Sequence, residues 1–295
     1  KRLISANTSE MLAMNAEELK QSIKASEGRV ILSENVATRE TYIGDITNAE
    51  IARAFGADLI LLNCVDVLNP DIYGLEHDNF VSELHRLVGR PIGVNLEPVD
   101  LEAEMLEDRL DIPKGRQLNL DTVKRLEEVG FDFVCLTGNP GTGVTNEQIE
   151  KAIRLTKEHF SGLVIAGKMH GAGSDEPVAD LTIAKQFIEA GADVILVPAV
   201  GTVPGFDMEE LKAVVREVHR CGGLVLSAIG TSQESSDEDT IKEIAIMNKI
   251  CGVDIQHIGD AGYGGVAPVE NLLAISKAVR GVRHTVSMIA RSINR

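Results

Sequence analysis

Eight short apolar runs alternate with amphipathic stretches of helical period, and this pattern predicts an α/β protein, a closed (β/α)8 (TIM) barrel. The runs read "RVILSEN", "DLILLNC", "PIGVNLE", "DFVCLTG", "GLVIAGK", "DVILVPA", "GLVLSAI" and "DIQHIGD". Glycines just past the late runs, Gly138, Gly171, Gly201, Gly230 and Gly259, stand 33, 30, 29 and 29 residues apart, which is one βα unit per interval. Eight parallel strands with helical crossovers close on themselves, and an open doubly wound sheet is the alternative.

Residues 1–27, with "TSEMLAMNAEELKQSIKAS", read as a helical extension that plugs the barrel bottom. Residues 28–281 hold the barrel, in one domain with both flanks. Between the strands, "NAEIARAFGA", "DTVKRLEEVG", "NEQIEKAIRLTKEHF", "LTIAKQFIEAGA", "MEELKAVVREVHRCG", "EDTIKEIAIMNKICG" and "PVENLLAISKAVRG" carry apolar residues three and four apart. Several stop at Gly, suiting a left-handed cap. "TNEQ" at Thr145 and "DMEE" at Asp207 read as capping boxes. Residues 282–295 form a C-terminal helix whose face of Val282, Val286, Ile289 and Ile293 is expected to dock on the barrel or on a second subunit, so a homo-oligomer is expected.

Composition narrows the partners. Lys+Arg 29 against Asp+Glu 45 gives a net charge of −16, which repels phosphate backbones and anionic lipid. No nucleic acid and no membrane surface is expected as a partner, and an anionic substrate needs a locally positive pocket. No apolar run approaches the roughly 18 residues of a membrane span, and the start has no signal-peptide core, so the chain reads as cytoplasmic. Cys64, Cys135, Cys221 and Cys251 form no CxxC pair and read as reduced, buried thiols.

A barrel builds its site from the residues just past each strand. The polar residues there are Glu34, Asn35, Asn63, Asp66, Asn95, Glu97, Thr137, Asn139, Lys168, His170, Thr202, Ser227, Thr231, Ser232, His257 and Asp260. Alternation divides them. If bulky Leu163, Ile165 and Met169 pack under helices, then Val164, Ala166, Lys168 and His170 point inward, as do Gly93, Asn95 and Glu97. That places an amine, an imidazole and a carboxylate in one cavity. A desolvated lysine serves as base or Schiff-base nucleophile, so Lys168 is the first catalytic candidate, unless it only neutralises Glu97 or Glu34 or binds substrate charge. Glu97 and His170 would move protons. His257, sharing a face with Val253 and Ile255, reads as an outward core histidine.

Two glycine-rich stretches suit anions, because backbone N–H groups and a helix N-terminus converge there. After the seventh strand come Gly230, Thr231 and Ser232; after the eighth come Gly259, Asp260, Gly262, Gly264 and Gly265, then "APVENLL". "TGNPGTGVTNEQ", with Asn139, is a further loop of this kind. With Asn35, Asn63 and Asn95 these residues are the expected substrate and phosphate contacts.

At these residues the chain resembles the phosphate-binding group of (β/α)8 barrels. "PIGVNLE", "AGKMHGAG" and "GADVILVPAVGT" are similar in layout to BtpA-like barrels, whose Lys-x-His element falls at Lys168 and His170. "GDAGYGG" is similar to the acidic Gly-Tyr-Gly motif of phosphoenolpyruvate mutase and isocitrate lyase relatives, but comes after the eighth strand and has one Asp in place of a pair. The chain thus resembles an uncharacterised bacterial barrel family with mutase-like labels.

Three functions are expected. The first is a metal-independent enzyme acting on a small phosphorylated metabolite, such as a sugar phosphate, by proton abstraction or carbon–carbon cleavage next to a carbonyl. The second is a Mg²⁺-dependent lyase or mutase of small carboxylates, with Glu34, Asp66, Glu97 and Asp260 as direct or water-bridged ligands. The third is a non-catalytic barrel that binds a ligand or partner.

Overall fold

The computed structural model describes residues 1–41, 43–76, 78–106, 108–170, 176, 179–260 and 264–295. Its strands are Val30–Val36 (β1), Leu59–Asn63 (β2), Ile92–Leu96 (β3), Phe133–Leu136 (β4), Leu163–Gly167 (β5), Val194–Pro198 (β6), Leu224–Ile229 (β7) and Ile255–Ile258 (β8). All neighbours pair in parallel and β8 closes on β1, so the barrel is complete.

The helices among the described residues are Thr8–Leu12 (α1), Ala16–Ala25 (α2), Asn48–Ala54 (α3), Phe80–Val88 (α4), Leu120–Val129 (α5), Asn146–His159 (α6), Leu181–Ala190 (α7), Met208–Arg220 (α8), Glu238–Ile250 (α9) and Val269–Ala290 (α10). Helix α4 has no counterpart in the sequence reading. It starts far from β2, and although Asn79 stands at its N-cap the side chain makes no capping bond there. The capping box at Asp207 is complete, whereas at Thr145 only the forward bond to Gln148 N forms.

Two apolar layers result. Inside the barrel, Leu32, Leu61, Phe133, Cys135, Leu163, Ile165, Leu196, Leu226 and Ile255 share one core with Leu3, Ile4, Met11, Leu19 and Ile23 of the N-terminal segment. Outside it, Ile31, Ile60, Val94, Val134, Val164, Ala166, Ile195, Val225 and Ile258 pack under the helices. The phase expected for β5 is therefore reversed. The bulky residues fill the barrel, whose interior needs volume, and small Ala166 sits where a helix comes close.

One device recurs at the start of the even strands. The sequence Gly-x-Asp precedes β2, β4, β6 and β8, ending at Asp58, Asp132, Asp193 and Asp254. Each carboxylate accepts the backbone N–H of the preceding strand, from Ile31 (2.9 Å), Ile92 (2.8 Å), Val164 (2.9 Å) and Val225 (2.8 Å). The same Asp residues donate their own N–H groups to the carbonyls of Ile31, Ile92, Val164 and Val225. A basic side chain completes each unit: Arg280, His85, Lys157 and His219. The glycines hold left-handed backbone, from φ 82° at Gly130 to 120° at Gly191, which turns the chain from helix into strand.

Helix α10 breaks at Gly281 (φ 71°, ψ 172°), and its second half buries Thr285 and Met288. Val282 and Val286 are exposed on the single chain, so of the expected docking face these two do not pack on the barrel. Among the described residues, no helix is long and apolar enough to cross a membrane.

Candidate active site

Successive strand ends lift their inward side chains above the apolar interior, and there a polar chain crosses the mouth. In β1, Val30, Leu32 and Glu34 share the inward face. Glu34 Oε1 lies 3.1 Å from His257 Nε2, deep at the end of β8, and its Oε2 accepts from Asn63 Nδ2 at 3.3 Å. His257 is wholly buried and faces the barrel interior with Ile255, which corrects the outward reading. Asn63, at the end of β2, is the hub. Its Nδ2 also approaches Asn139 Oδ1 (2.8 Å) and Asp260 Oδ2 (3.1 Å), while its Oδ1 accepts from Asn95, Asn139 and the Cys64 N–H.

An amide has two hydrogens, and three acceptors crowd this one. The site therefore holds one acceptor more than Asn63 can serve. Asn139 continues the chain to Glu97, donating its N–H at 2.7 Å and its Nδ2 at 3.1 Å. Glu97 also accepts from Thr142 Oγ1 and Arg116, so it is fully engaged as the anchor of the loops after β3 and β4.

Above this network opens a cavity of about 740 Å³. Glu34, Asn63, Asn139, His170, Gly230, Thr231, Ser232, Gly259 and Asp260 line it, as the sequence places them at strand ends. So do Arg39, Cys64, Arg116 and Glu234, which sequence reasoning missed. Arg116 and Glu234 sit well beyond their strands, where distance from the strand end hides them. Thr231 and Ser232 both hold left-handed backbone (φ 57° and 68°) in a tight turn closed by Gln233 N–H on Gly230 O at 3.0 Å. Cys64 is left-handed as well, at φ 62°. Such strain clusters at functional sites and costs on the order of 1–3 kcal/mol per residue.

The electrostatics are set by burial. Burial pushes the Glu234 carboxyl up from the ordinary value, opposed by its own backbone N–H and the His257 charge, and the Asp260 charge adds to the rise. The Cys64 thiol rises to about 11, through burial first and then nearby carboxylates, opposed by Arg116. His170 falls to about 4 because it is buried and lies near the Lys168 charge. It is neutral at neutral pH.

Several expected contacts lie elsewhere. Lys168 is 2% exposed and sits outside the barrel wall, beside Asp180, Ile183 and Phe187 of the α7 region. Its amine bonds Glu176 at 2.8 Å, and Glu176 also accepts the Asn146 N–H at 2.8 Å, tying the loop after β5 to the start of α6. The reversed phase of β5 accounts for this placement. Asn35 points outward between inward Glu34 and Val36 and donates to Ser33. Asn95 is buried beneath the cavity. Gly265 gives its carbonyl to Val36 N–H at 2.8 Å and packs so tightly on Asn48 that a Cβ would lie 2.3 Å from its amide, so it joins a loop to β1. Gly264 does not line the cavity either, and Gly262 lies outside the described residues.

The four expected metal ligands are not drawn together. Asp66 accepts the N–H groups of Leu68 and Asn69 in its own turn, and Glu97 is taken by Arg116, Asn139 and Thr142. Only Glu34 and Asp260 meet, on Asn63. Among the described residues no group of three or more His, Cys, Asp or Glu converges to hold a metal ion.

Closed parallel barrel, apolar floor and polar mouth together define a (β/α)8 barrel of the kind that carries a site at its C-terminal end. The chain belongs to a family described as a domain of unknown function, DUF7916, whose profile matches residues 4–295. No curated protein matches the chain at a significant level. Among solved structures, a Schiff-base-forming fructose-1,6-bisphosphate aldolase is similar at 15% identity and a TM-score of 0.56, over 92% of this chain and 100% of the other. An archaeal fructose 1,6-bisphosphate aldolase is similar at 14% identity and 0.55, over 92% and 99%. The 2,3-dimethylmalate lyase of the PEP mutase/isocitrate lyase superfamily is similar at 13% identity and 0.51, over 83% and 81%. At such identities the likeness is one of fold.

Proposed function

We propose that this chain is an enzyme of lyase or isomerase type, acting at the barrel mouth on a small phosphorylated or carboxylated metabolite by moving a proton on carbon next to a carbonyl. The observation that carries this reading is the convergence of Asp260 and Glu34 on the one amide of Asn63. Asp260 is half-buried on the cavity side, whereas Glu34 is held from below by His257. A ligand that draws Asp260 away leaves Asn63 fully used by Glu34 and Asn139, so Asp260 is the base and Glu34 a support. Arg39 and Arg116 face the same space and suit the anionic group of the substrate, with neutral His170 and the Thr231 and Ser232 hydroxyls as further contacts. The aldolase and lyase folds named above host chemistry of this class, which supports the reading by analogy. Lys168, bonded to Glu176 outside the wall, is not the base or nucleophile in this reading and acts on it only through its charge near His170.

The test is a thermal-shift screen of inorganic phosphate, dihydroxyacetone phosphate and pyruvate, each with Mg²⁺ and with chelator, and then proton NMR of the two ketones in D₂O. A ligand at about 100 times its dissociation constant stabilises by roughly 2.7 kcal/mol. Loss of the C–H signal beside the carbonyl, in chelator, is the expected result, and Asp260→Asn should slow it roughly 10²- to 10⁴-fold. Exchange only with Mg²⁺ would replace this reading by the metal-dependent one. Stabilisation with no exchange of either ketone would favour a binding barrel.

A further inference from the structure

The mouth holds a second carboxyl that the reading above does not use. Glu234 lies on the short 3-10 turn Gln233–Ser235 after β7 and is 8% exposed. The residue lines the cavity, and its Oε2 is buried with no hydrogen-bond partner among the described residues. The carboxyl packs beside Gly259, where an added Cβ would make ordinary contact with its Cδ at 3.6 Å. Asn271, at the start of α10, donates to the carbonyls of Glu234 and Ser236 at 2.9 and 2.8 Å and fixes the turn. The side chain is thus held by packing and by a bond from its own backbone N–H, while Oε2 is left without a donor. A buried carboxylate in that state costs free energy that a carboxylic acid avoids.

We propose that Glu234 is a catalytic acid of this site, entering the cycle protonated and giving its proton to the substrate carbonyl oxygen as Asp260 takes a proton from the neighbouring carbon. The inference rests on the reading of Asp260 as base. The C–H bond breaks, its electron pair forms the carbon–carbon double bond, and the carbonyl pair moves to oxygen, which takes the Glu234 proton. The products are an enol, a protonated Asp260 and an ionised Glu234, so protons and charge balance with no oxidant. Reversal on the other carbon completes an isomerisation and restores both groups. Burial raises the affinity of Glu234 for a proton most, its own backbone N–H opposes this, and of the charged or titratable groups acting on it Asp260 raises and His257 lowers that affinity.

The first arm needs no substrate. In the full-length protein labelled with ¹³C at its Glu and Asp carboxyl carbons, Glu234→Gln identifies the resonance. Glu234 should titrate above the ordinary glutamate range, and Asp260→Asn should move its midpoint down. An ordinary midpoint, or one indifferent to Asp260→Asn, overturns the proposal. The second arm is exchange of dihydroxyacetone phosphate or pyruvate in D₂O. Glu234→Gln should lower kcat roughly 10²-fold with little change in KM. The activity of the unaltered protein should fall as pH rises through the Glu234 midpoint. A Glu234→Gln variant that is folded by circular dichroism and keeps the kcat and pH profile of the unaltered protein would also overturn it. If neither ketone exchanges while the titration behaves as stated, the proton acid stands and the assigned reaction fails, so the two outcomes separate.

Discussion

Floor and mouth of this barrel both collect carboxylates, and they treat them in opposite ways. At the floor, Asp58, Asp132, Asp193 and Asp254 each accept one strand N–H and one basic side chain, in the same geometry every second strand. At the mouth, Glu34, Asn139 and Asp260 crowd the one amide of Asn63, and the Glu234 Oε2 and His257 Nδ1 atoms have no hydrogen-bond partner among the described residues. A carboxylate paired with a fixed cation holds structure together, even where, as at Asp58, one oxygen has no hydrogen-bond partner among the described residues. One that competes for a shared amide is open to a ligand that brings its own donors, at a cost in stability that functional sites commonly carry.

The sharpest way to break this comparison is at Asp58. It and Arg280 are both fully buried and bonded to each other, with the Ile31 N–H as a third member. Asp58→Ala leaves the Ile31 N–H without its acceptor and the buried guanidinium without its counter-charge, with only the Gly56 and Arg29 carbonyls and the Ser276 hydroxyl to accept from it, and should cost about 3–5 kcal/mol in a urea titration. Ligand affinity of whatever remains folded should not change. Asp260→Asn should show the reverse pattern, with exchange activity reduced as stated above and unfolding free energy unaltered or raised. If both variants lose stability alike, the division into a floor that stabilises and a mouth that acts is wrong.

Most of the barrel is legible because its signals are local. Each strand is a short apolar run, and the βα interval repeats. The inside of the barrel is harder to read, because both faces of a parallel strand are apolar and nothing in "GLVIAGKMH" says which is inner. The answer lies in the neighbours: Gly93, where a Cβ would meet the Phe133 ring at 2.3 Å, shows how large residues fill the interior. From that one ambiguity come the misplacing of Lys168 and of His257. The Gly-x-Asp repeat, by contrast, stands openly in the sequence at residues 56–58, 130–132, 191–193 and 252–254. It is a fourfold signal at a spacing of two βα units, so it is passed over when single units are counted. Asn63 can be inferred from its position at the end of β2, but Glu234 cannot be inferred from any spacing, since its burial depends on Gly259 and Asn271 of later elements.

The two ends also hold histidines that should respond to pH in opposite senses, and the larger effect belongs to the mouth. His170 is lowered from 6.5 to about 4 in the folded state. The unfolded chain therefore takes up the proton first, so stability is present above the unfolded value and is lost as pH falls from 6.5 towards 4. With partial exposure discounted, removing this titration by His170→Gln should make the variant relatively more stable by on the order of 2 kcal/mol near pH 4, measured against its own difference near neutral pH.

His219 at the floor runs the other way and is the finest test of the comparison. Its hydrogen bond to Asp254, 2.7 Å from Nε2, raises it above 6.5, while burial and the Lys24 charge oppose the rise. The folded state binds the proton more tightly, so this stabilisation is complete below 6.5 and disappears as pH climbs through the raised value. The ring is 40% exposed, which screens the pair and holds the effect to a few tenths of a kcal/mol. Unfolding free energies of the unaltered chain and His219→Gln, taken at about pH 5.5 and about pH 8.5, should differ more at the lower pH. A larger difference at the higher pH would mean that the ring serves Asp254 as a neutral donor. In that case charge has no part in that corner of the floor, and the fourfold device is one of hydrogen bonds to the strand starts, with the basic partner incidental.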